Sequence, residues 1–362
     1  MSLARRDLER GLREAERTIA LSERCRPLDA GEPLRVLEAW RAGREVGASA
    51  RFAPPPAWGA LRRNLERLAE QAEPCGGFGR LYAERARELG VEVGLVEQIG
   101  TPGFHRAAAG RYPVDPGSDG QRALEWALAW AREDDRTDAG LVVASDDGHR
   151  ADSLLSAMRR AVGQRRLPFR VEVRADLLSA AATGDGVIVV RGGARYSVSE
   201  VARIVTHEIE GHALPRARAR LERAGLFALG SAQGSDDEEG RALLLEERAG
   251  LLGPRRRAEL GRRHLAALAV REGADFVETV RLILGQGAAL EQAVGIGLRV
   301  HRGGGLAREI VYLTALSRVR RAFDTDPEAE GFLERGRIAV RAVPLLRELG
   351  EPPEVLTAPC AA

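Results

Sequence analysis

The chain has 362 residues, 44 % apolar and 30 % charged, which fits a folded, soluble protein with a sizeable core and excludes a disordered one. No apolar run is long enough to span a bilayer, and the charged start MSLARRDLERGLREAER lacks a signal core, so the sequence predicts a cytoplasmic protein with no membrane partner. The net charge is only +2; all 55 basic residues are arginine and alternate with Glu and Asp, which argues against a nucleic-acid partner.

Residues 1–25 read as one amphipathic helix, with Leu3, Leu8, Leu12, Ile19 and Leu21 among charges. APPPAW at 53–58 breaks the chain and divides it into an N-terminal helical segment, 1–58, and a larger domain, 59–362. Helices are predicted over 61–72 and 79–89, and VEVGLVEQIG at 91–100 alternates like a first strand. After a GTPGF loop come a helix over 122–133, a strand over 139–147 and a helix over SLLSAMRRAV. Strands are predicted at 169–176 and 186–193. Ser197 and Glu200 form a capping box for the next helix. Beyond it the pattern is helical: 240–252, 255–271, 276–284, 290–300, 307–323 and a short pair near the end. PRRRAELGRR, at 254–263, reads as the solvated face of a helix. The fold class is α+β, a small mixed sheet surrounded by helices with a mostly helical C-terminal half. Cys25, Cys75 and Cys360 are odd in number and far apart, which suits a reducing compartment.

The chemistry concentrates in THEIEGHALPR, at 206–216. Zinc peptidases commonly carry His-Glu-x-x-His, whose histidines share one helix face while the glutamate activates water. Here His207 and His212 stand five apart, which on a regular helix points them about 140° from each other. A π-bulge would bring them together, and Gly211 inside the interval weakens the helix there. The competing reading is a buried Glu208–His212 pair at i, i+4 that only holds the core together. A third ligand is needed. His105, His149, His264 and His301 suit surface or packing roles, so a carboxylate of the next helix is preferred. Asp236 and Asp237 sit where acids are commonplace; Glu239, followed by Gly240, allows close backbone approach. Glu247 is the decoy.

HEIEGH followed by EEGRALLLE resembles the bacterial flavohaemoglobin expression-modulating QEGLA-motif proteins, which belong with the microtubule-associated tyrosine carboxypeptidases. The likeness extends through YAERARELGVEVGLVEQIGTPGF, GDGVIVVRGGARYSVSEVARIVTHEIEGH and LRVHRGGGLAREIVYLTALSRVR. The resemblance implies a zincin-like metallopeptidase with Zn2+ as cofactor, His207, His212 and Glu239 as metal ligands, and Glu208 as the catalytic base. It also implies removal of a C-terminal, aromatic residue from a peptide or protein tail. The chain departs from the family pattern in three places: Arg241 replaces the usual leucine, ALPRARARLERAGLFALG replaces a polar loop, and Arg308–Glu309 replaces Lys–Asp.

A carboxypeptidase needs a cation for the substrate's terminal carboxylate, and Arg302 and Arg308 are the candidates. Tyr312 is a candidate for polarising the oxyanion. The glycines at 303–305 suggest a flexible substrate loop, and GVIVV could pair with an extended peptide. Two other functions fit the same residues: a zinc-dependent amide hydrolase acting on a small metabolite, or a non-catalytic regulatory protein that retains the fold.

Overall fold

The computed structural model describes residues 2–29, 31–54, 56–133, 141–350 and 355–357. The N-terminal pattern is a strand and two helices rather than one helix. β1 (Ser2–Ala4) leads into α1 (Arg5–Ile19). Ala20 then takes a left-handed backbone, φ 40°, and separates α1 from α2 (Leu21–Arg24). Leu8, Leu12, Ala15 and Ile19 recur at helical spacing and are all buried. After α3 (Glu32–Arg41), this face packs on α4 (Gly59–Ala72) and α5 (Gly76–Val96).

The strand predicted at 91–100 does not exist: its first six residues complete α5. Leu81, Tyr82, Arg85, Ala86, Leu89, Val93 and Val96 keep a helical period and are buried. That long face outweighs the local two-residue alternation and the two glycines within it. α6 (Phe104–Arg111) and α7 (Ser118–Trp130) follow. Of the strand predicted over 139–147, β2 (Val142–Ala144) forms; 139 and 140, like Cys360, lie outside the described residues.

Past α8 (Leu154–Gln164), β3 (Arg170–Arg174) and β5 (Val187–Arg191) form as the alternation predicts. β4 (Ala181–Thr183) and β6 (Arg195–Ser197) were not foreseen. The main sheet has the order β3–β5–β4, with β5 parallel to β3 and antiparallel to β4. Both edges of β5 are therefore taken, so GVIVV cannot pair with a peptide; β3 and β4 are the outer strands. β2 pairs with β6 in a second small sheet.

The rest is helical: α9 (Val198–Val205), a π-helical segment (Thr206–Ala213), α10 (Leu214–Ala219), α11 (Gly225–Leu229), α12 (Gly234–Arg248) and α13 (Pro254–Arg271). α14 (Phe276–Gly285), α15 (Leu290–Val300), α16 (Val311–Thr325), α17 (Glu328–Leu333) and α18 (Val343–Leu349) complete it. β7 (Val355–Thr357) returns antiparallel to β1. With 64 % helix and small sheets, the class is α+β, as predicted. α12 starts six residues before the sequence places it, so Glu238 and Glu239 lie within its first turns.

Two apolar clusters position the site. The larger joins the N-terminal helices to α13–α16. The smaller joins α8, the main sheet and α9 through Leu154, Met158, Ile188, Val190, Val201 and Ile204, and ends on Ile209 and Ala213 of the π segment. α12 lies between that segment and α16. Gly240 permits this: a Cβ there would stand 2.4 Å from the Ala315 carbonyl carbon. PRRRAELGRR is not a solvated face. Arg256, Arg262 and Arg263 are buried on α13, because the helix turns them toward a polar cavity and toward backbone acceptors such as the Ala131 carbonyl, 2.9 Å from Arg262 Nε.

Candidate metal centre

The candidate metal-binding element is built from its N-terminus. Ser197 Oγ accepts from the Glu200 amide, and Glu200 Oε2 accepts from the Ser197 amide at 2.9 Å, forming the predicted capping box. α9 then widens into the π segment Thr206–Ala213. The additional residue in the turn brings an i, i+5 pair to one side. The rings of His207 and His212 accordingly lie 4.9 Å apart, their planes 72° from parallel. Gly211 serves a different purpose from the one its sequence position suggests. It does not adopt a left-handed backbone. A Cβ there would stand 2.6 Å from Ala242 Cβ, so glycine lets α12 reach the π segment.

That approach delivers Glu239. Its Oε2 lies 3.4 Å from His207 Nε2 and 3.7 Å from His212 Nε2. Donor atoms of these three buried residues lie within 4.8 Å of one another, so the group could hold a metal ion. Ligands about 2.0–2.2 Å from a tetrahedral ion are themselves about 3.3–3.6 Å apart, close to these distances. Glu239 Oε2 is also buried without a hydrogen-bond partner among the described residues, the condition a cation would relieve. Burial raises the Glu239 carboxyl, but His207, His212 and Arg308 hold it well below the usual range.

Each imidazole has its other nitrogen against a carboxylate, an arrangement that fixes ring orientation in metal sites. His207 Nδ1 is 2.7 Å from Glu246 Oε1. His212 Nδ1 is 3.2 Å from Glu238 Oε2, at an angle too poor for a hydrogen bond. Glu246 accepts from Arg256 at 3.1 and 3.2 Å, and Glu238 from Arg216 at 2.8 and 3.1 Å. Burial raises Glu246, yet Arg256, His207 and Arg203 bring it to about 2. Burial lowers His207, and the adjacent carboxylates of Glu239 and Glu246 lift it to about 10. These outer carboxylates were missed in the sequence. The available signal was Glu246 standing seven residues, two helical turns, beyond Glu239.

Glu208 is buried beside the group, and its Oε2 accepts from Thr183 Oγ1 of β4 at 2.7 Å. Glu247, the decoy, faces outward and pairs with Arg320. Arg241, where the resemblance leads one to expect leucine, is buried; its Nη2 donates to the Glu210 and Gly211 carbonyls at 2.7 and 2.6 Å.

A cavity of about 1010 Å³ contains His207, Glu208, His212 and Glu239 in its wall, together with Arg302, Arg308 and Tyr312. All seven predicted residues therefore meet at one place. Arg308 Nη2 donates to Glu239 Oε1 at 3.2 Å. Arg302 donates to the Arg299 carbonyl at 3.0 Å and to Glu309 at 3.4 Å. Arg299 Nη2 is 3.4 Å from Tyr312 Oη. Fourteen arginines and nine carboxylates line the cavity, which favours anionic ligands even though the whole chain is nearly neutral. The glycines at 303–305 are not a flexible loop. All three have positive φ, and Gly303 is packed so that a Cβ would meet Cys25 Sγ and Phe104 at 2.8 Å.

No described helix is long and apolar enough to cross a membrane. No curated protein matches the chain. A solved structure described as "the putative lipoprotein from Colwellia psychrerythraea" superposes over 80 % of this chain and 68 % of its own, with 12 % identity and a TM-score of 0.47. The sequence pattern of one family, described as microtubule-associated tyrosine carboxypeptidase, matches residues 57–360. That is most of the chain, which therefore belongs to the microtubule-associated tyrosine carboxypeptidase family.

Proposed function

We propose that this protein is a zinc-dependent carboxypeptidase with a zincin-like catalytic domain, which removes a C-terminal aromatic residue from a peptide or protein tail. One observation carries the reading: two Nε2 atoms and an unpartnered Glu239 oxygen converge in a cavity beside a carboxylate, Glu208, that is not among the three donors. Two imidazoles and one carboxylate suit zinc. Bound there, the ion would polarise the scissile carbonyl and acidify water.

Glu208 accepts the proton of the attacking water and passes it to the leaving amine. Thr183 holds one Glu208 oxygen and leaves the other to face water. Glu246 keeps the His207 imidazole turned so that Nε2 faces the shared position, and Glu238 places its charge beside His212 Nδ1. Arg302 and Arg308 supply positive charge for the terminal carboxylate, and Tyr312 stands beside them to polarise the carbonyl oxygen. The family's name and the cationic wall favour a peptide tail over a small amidated metabolite.

Glu208→Gln tests the mechanism because it keeps shape and removes the base. Zinc content should remain near one equivalent while hydrolysis of peptides ending in Tyr or Phe falls by about 10² or more. Unchanged hydrolysis would eliminate Glu208 as the base; cleavage of no peptide by the wild type would eliminate the peptidase reading.

A further inference from the structure

We infer that Arg263 receives the C-terminal carboxylate of the substrate, an assignment that rests on the carboxypeptidase reading. α13 turns Arg256, Glu259 and Arg263 toward the metal cavity at intervals of three and four residues. Most of the cavity's other inner cations are hydrogen-bonded within the protein, and Arg203 lies 3.6 Å from Glu246. Arg256 bonds Glu246 and Glu259, Arg308 bonds Glu239, Arg299 bonds Glu309, and Arg302 bonds Glu309 and a carbonyl.

Arg263 is different. It is 96 % buried, and among the described residues its one ion pair is a 3.4 Å contact from Nη1 to Glu259. Nε and Nη2 are buried with no hydrogen-bond partner among the described residues. These two nitrogens form one edge of the guanidinium, with the spacing that takes both oxygens of a carboxylate. The guanidinium carbon stacks 4.4 Å from the Tyr312 ring centroid, which fixes the plane of the fork. Unpaired donors on a buried cation are costly, and a carboxylate entering from the cavity would satisfy both. Tyr312 thereby gains a second role, since the ring beside the anchor is a surface on which the terminal side chain can pack. Arg302 and Arg308 retain theirs, as the positive field that draws the carboxylate in.

The experiment measures binding and hydrolysis separately. N-acetyl-phenylalanine and its amide are titrated calorimetrically into zinc-loaded full-length wild type, Arg263→Gln and Arg263→Met. Methionine keeps the apolar stem against Tyr312, so one of the two variants remains informative if the other is poorly folded. The wild type should bind the acid about 10- to 100-fold tighter than the amide, the range for a charge-assisted hydrogen bond. Both variants should bring that ratio close to one, and for a peptide ending in Phe they should raise KM far more than they lower kcat. An unchanged acid-to-amide ratio in the variants, or no acid preference in the wild type, overturns the assignment. An Arg263-dependent acid preference in a protein that hydrolyses no peptide supports the anchor and removes the peptidase reading.

Discussion

Glu246→Gln separates orientation of the metal ligands from the ligands themselves. Glu246 is fully buried, touches His207 Nδ1 at 2.7 Å, and is bracketed by Arg256 at 3.1 and 3.2 Å and Arg203 at 3.6 Å. Glutamine keeps the volume but removes the charge, and its NH2 can face an arginine donor. Loss of such an outer carboxylate lowers metal affinity about 10- to 100-fold. Breaking a buried ion pair from one side costs about 3–5 kcal/mol. The lower end applies here, because Arg256 keeps Glu259 at 2.9 Å and glutamine keeps one acceptor. Competition against a chromogenic chelator gives the affinity, and urea titration of the metal-free protein gives the stability. Glu247→Gln on the same helix is the control: its pair with Arg320 is 30–40 % exposed, so both measurements should hold within twofold and about 0.5 kcal/mol. A Glu246→Gln affinity within twofold of wild type would refute the idea that this carboxylate sets the His207 ring.

Gly211→Ala should destabilise the protein by about 1–3 kcal/mol through overpacking against Ala242, and should weaken metal binding as α12 is pushed away. Adding Ala242→Gly should restore most of both in thermal unfolding and metal titration; no restoration would place the strain elsewhere. Burial lowers the His264 imidazole to about 4. Between pH 6.5 and 4 the unfolded chain therefore binds a proton that the folded chain refuses, and stability falls as pH drops. The slope is up to about 1.4 kcal/mol per unit from this residue. Denaturant titrations at pH 4, 5, 6 and 7 should show a flatter decline in His264→Gln, and equal slopes would exclude the contribution.

The metal helix was legible because its signals are local. Ser197 and Glu200 mark the cap, and the histidine spacing has only one conformational remedy if both are to bind one ion. The 91–100 segment failed for the opposite reason. Its alternation is local, but its fate is decided by α5 continuing an apolar face begun at Leu81. Glu246, Glu238 and Thr183 were invisible because they approach from other elements, and spacing along a chain says nothing about which face of α12 meets the π segment. The arginines of 254–263 were misread for a related reason. Charge density on a helix resembles a solvated face unless the opposing wall, here Glu246 and Tyr312, is known.

Arg241, where the resemblance leads one to expect leucine, sits among the best-connected residues of the site. An α-to-π register change removes carbonyls from the regular i→i−4 ladder, and buried carbonyls need donors. Arg241 supplies them at Glu210 and Gly211, directly before His212, while its stem occupies the apolar position a leucine would fill. It shares α12 with four other residues that meet the turn. Glu238 meets His212, Glu239 faces both imidazoles, Ala242 packs against Gly211, and Glu246 holds His207. A one-residue rotation of α12 would separate all five contacts together, since each depends on the same helix phase. EEGRALLLE therefore acts as a unit: it brings one candidate ligand and two carboxylates to the histidines, and stabilises the irregular turn that lets histidines five apart converge.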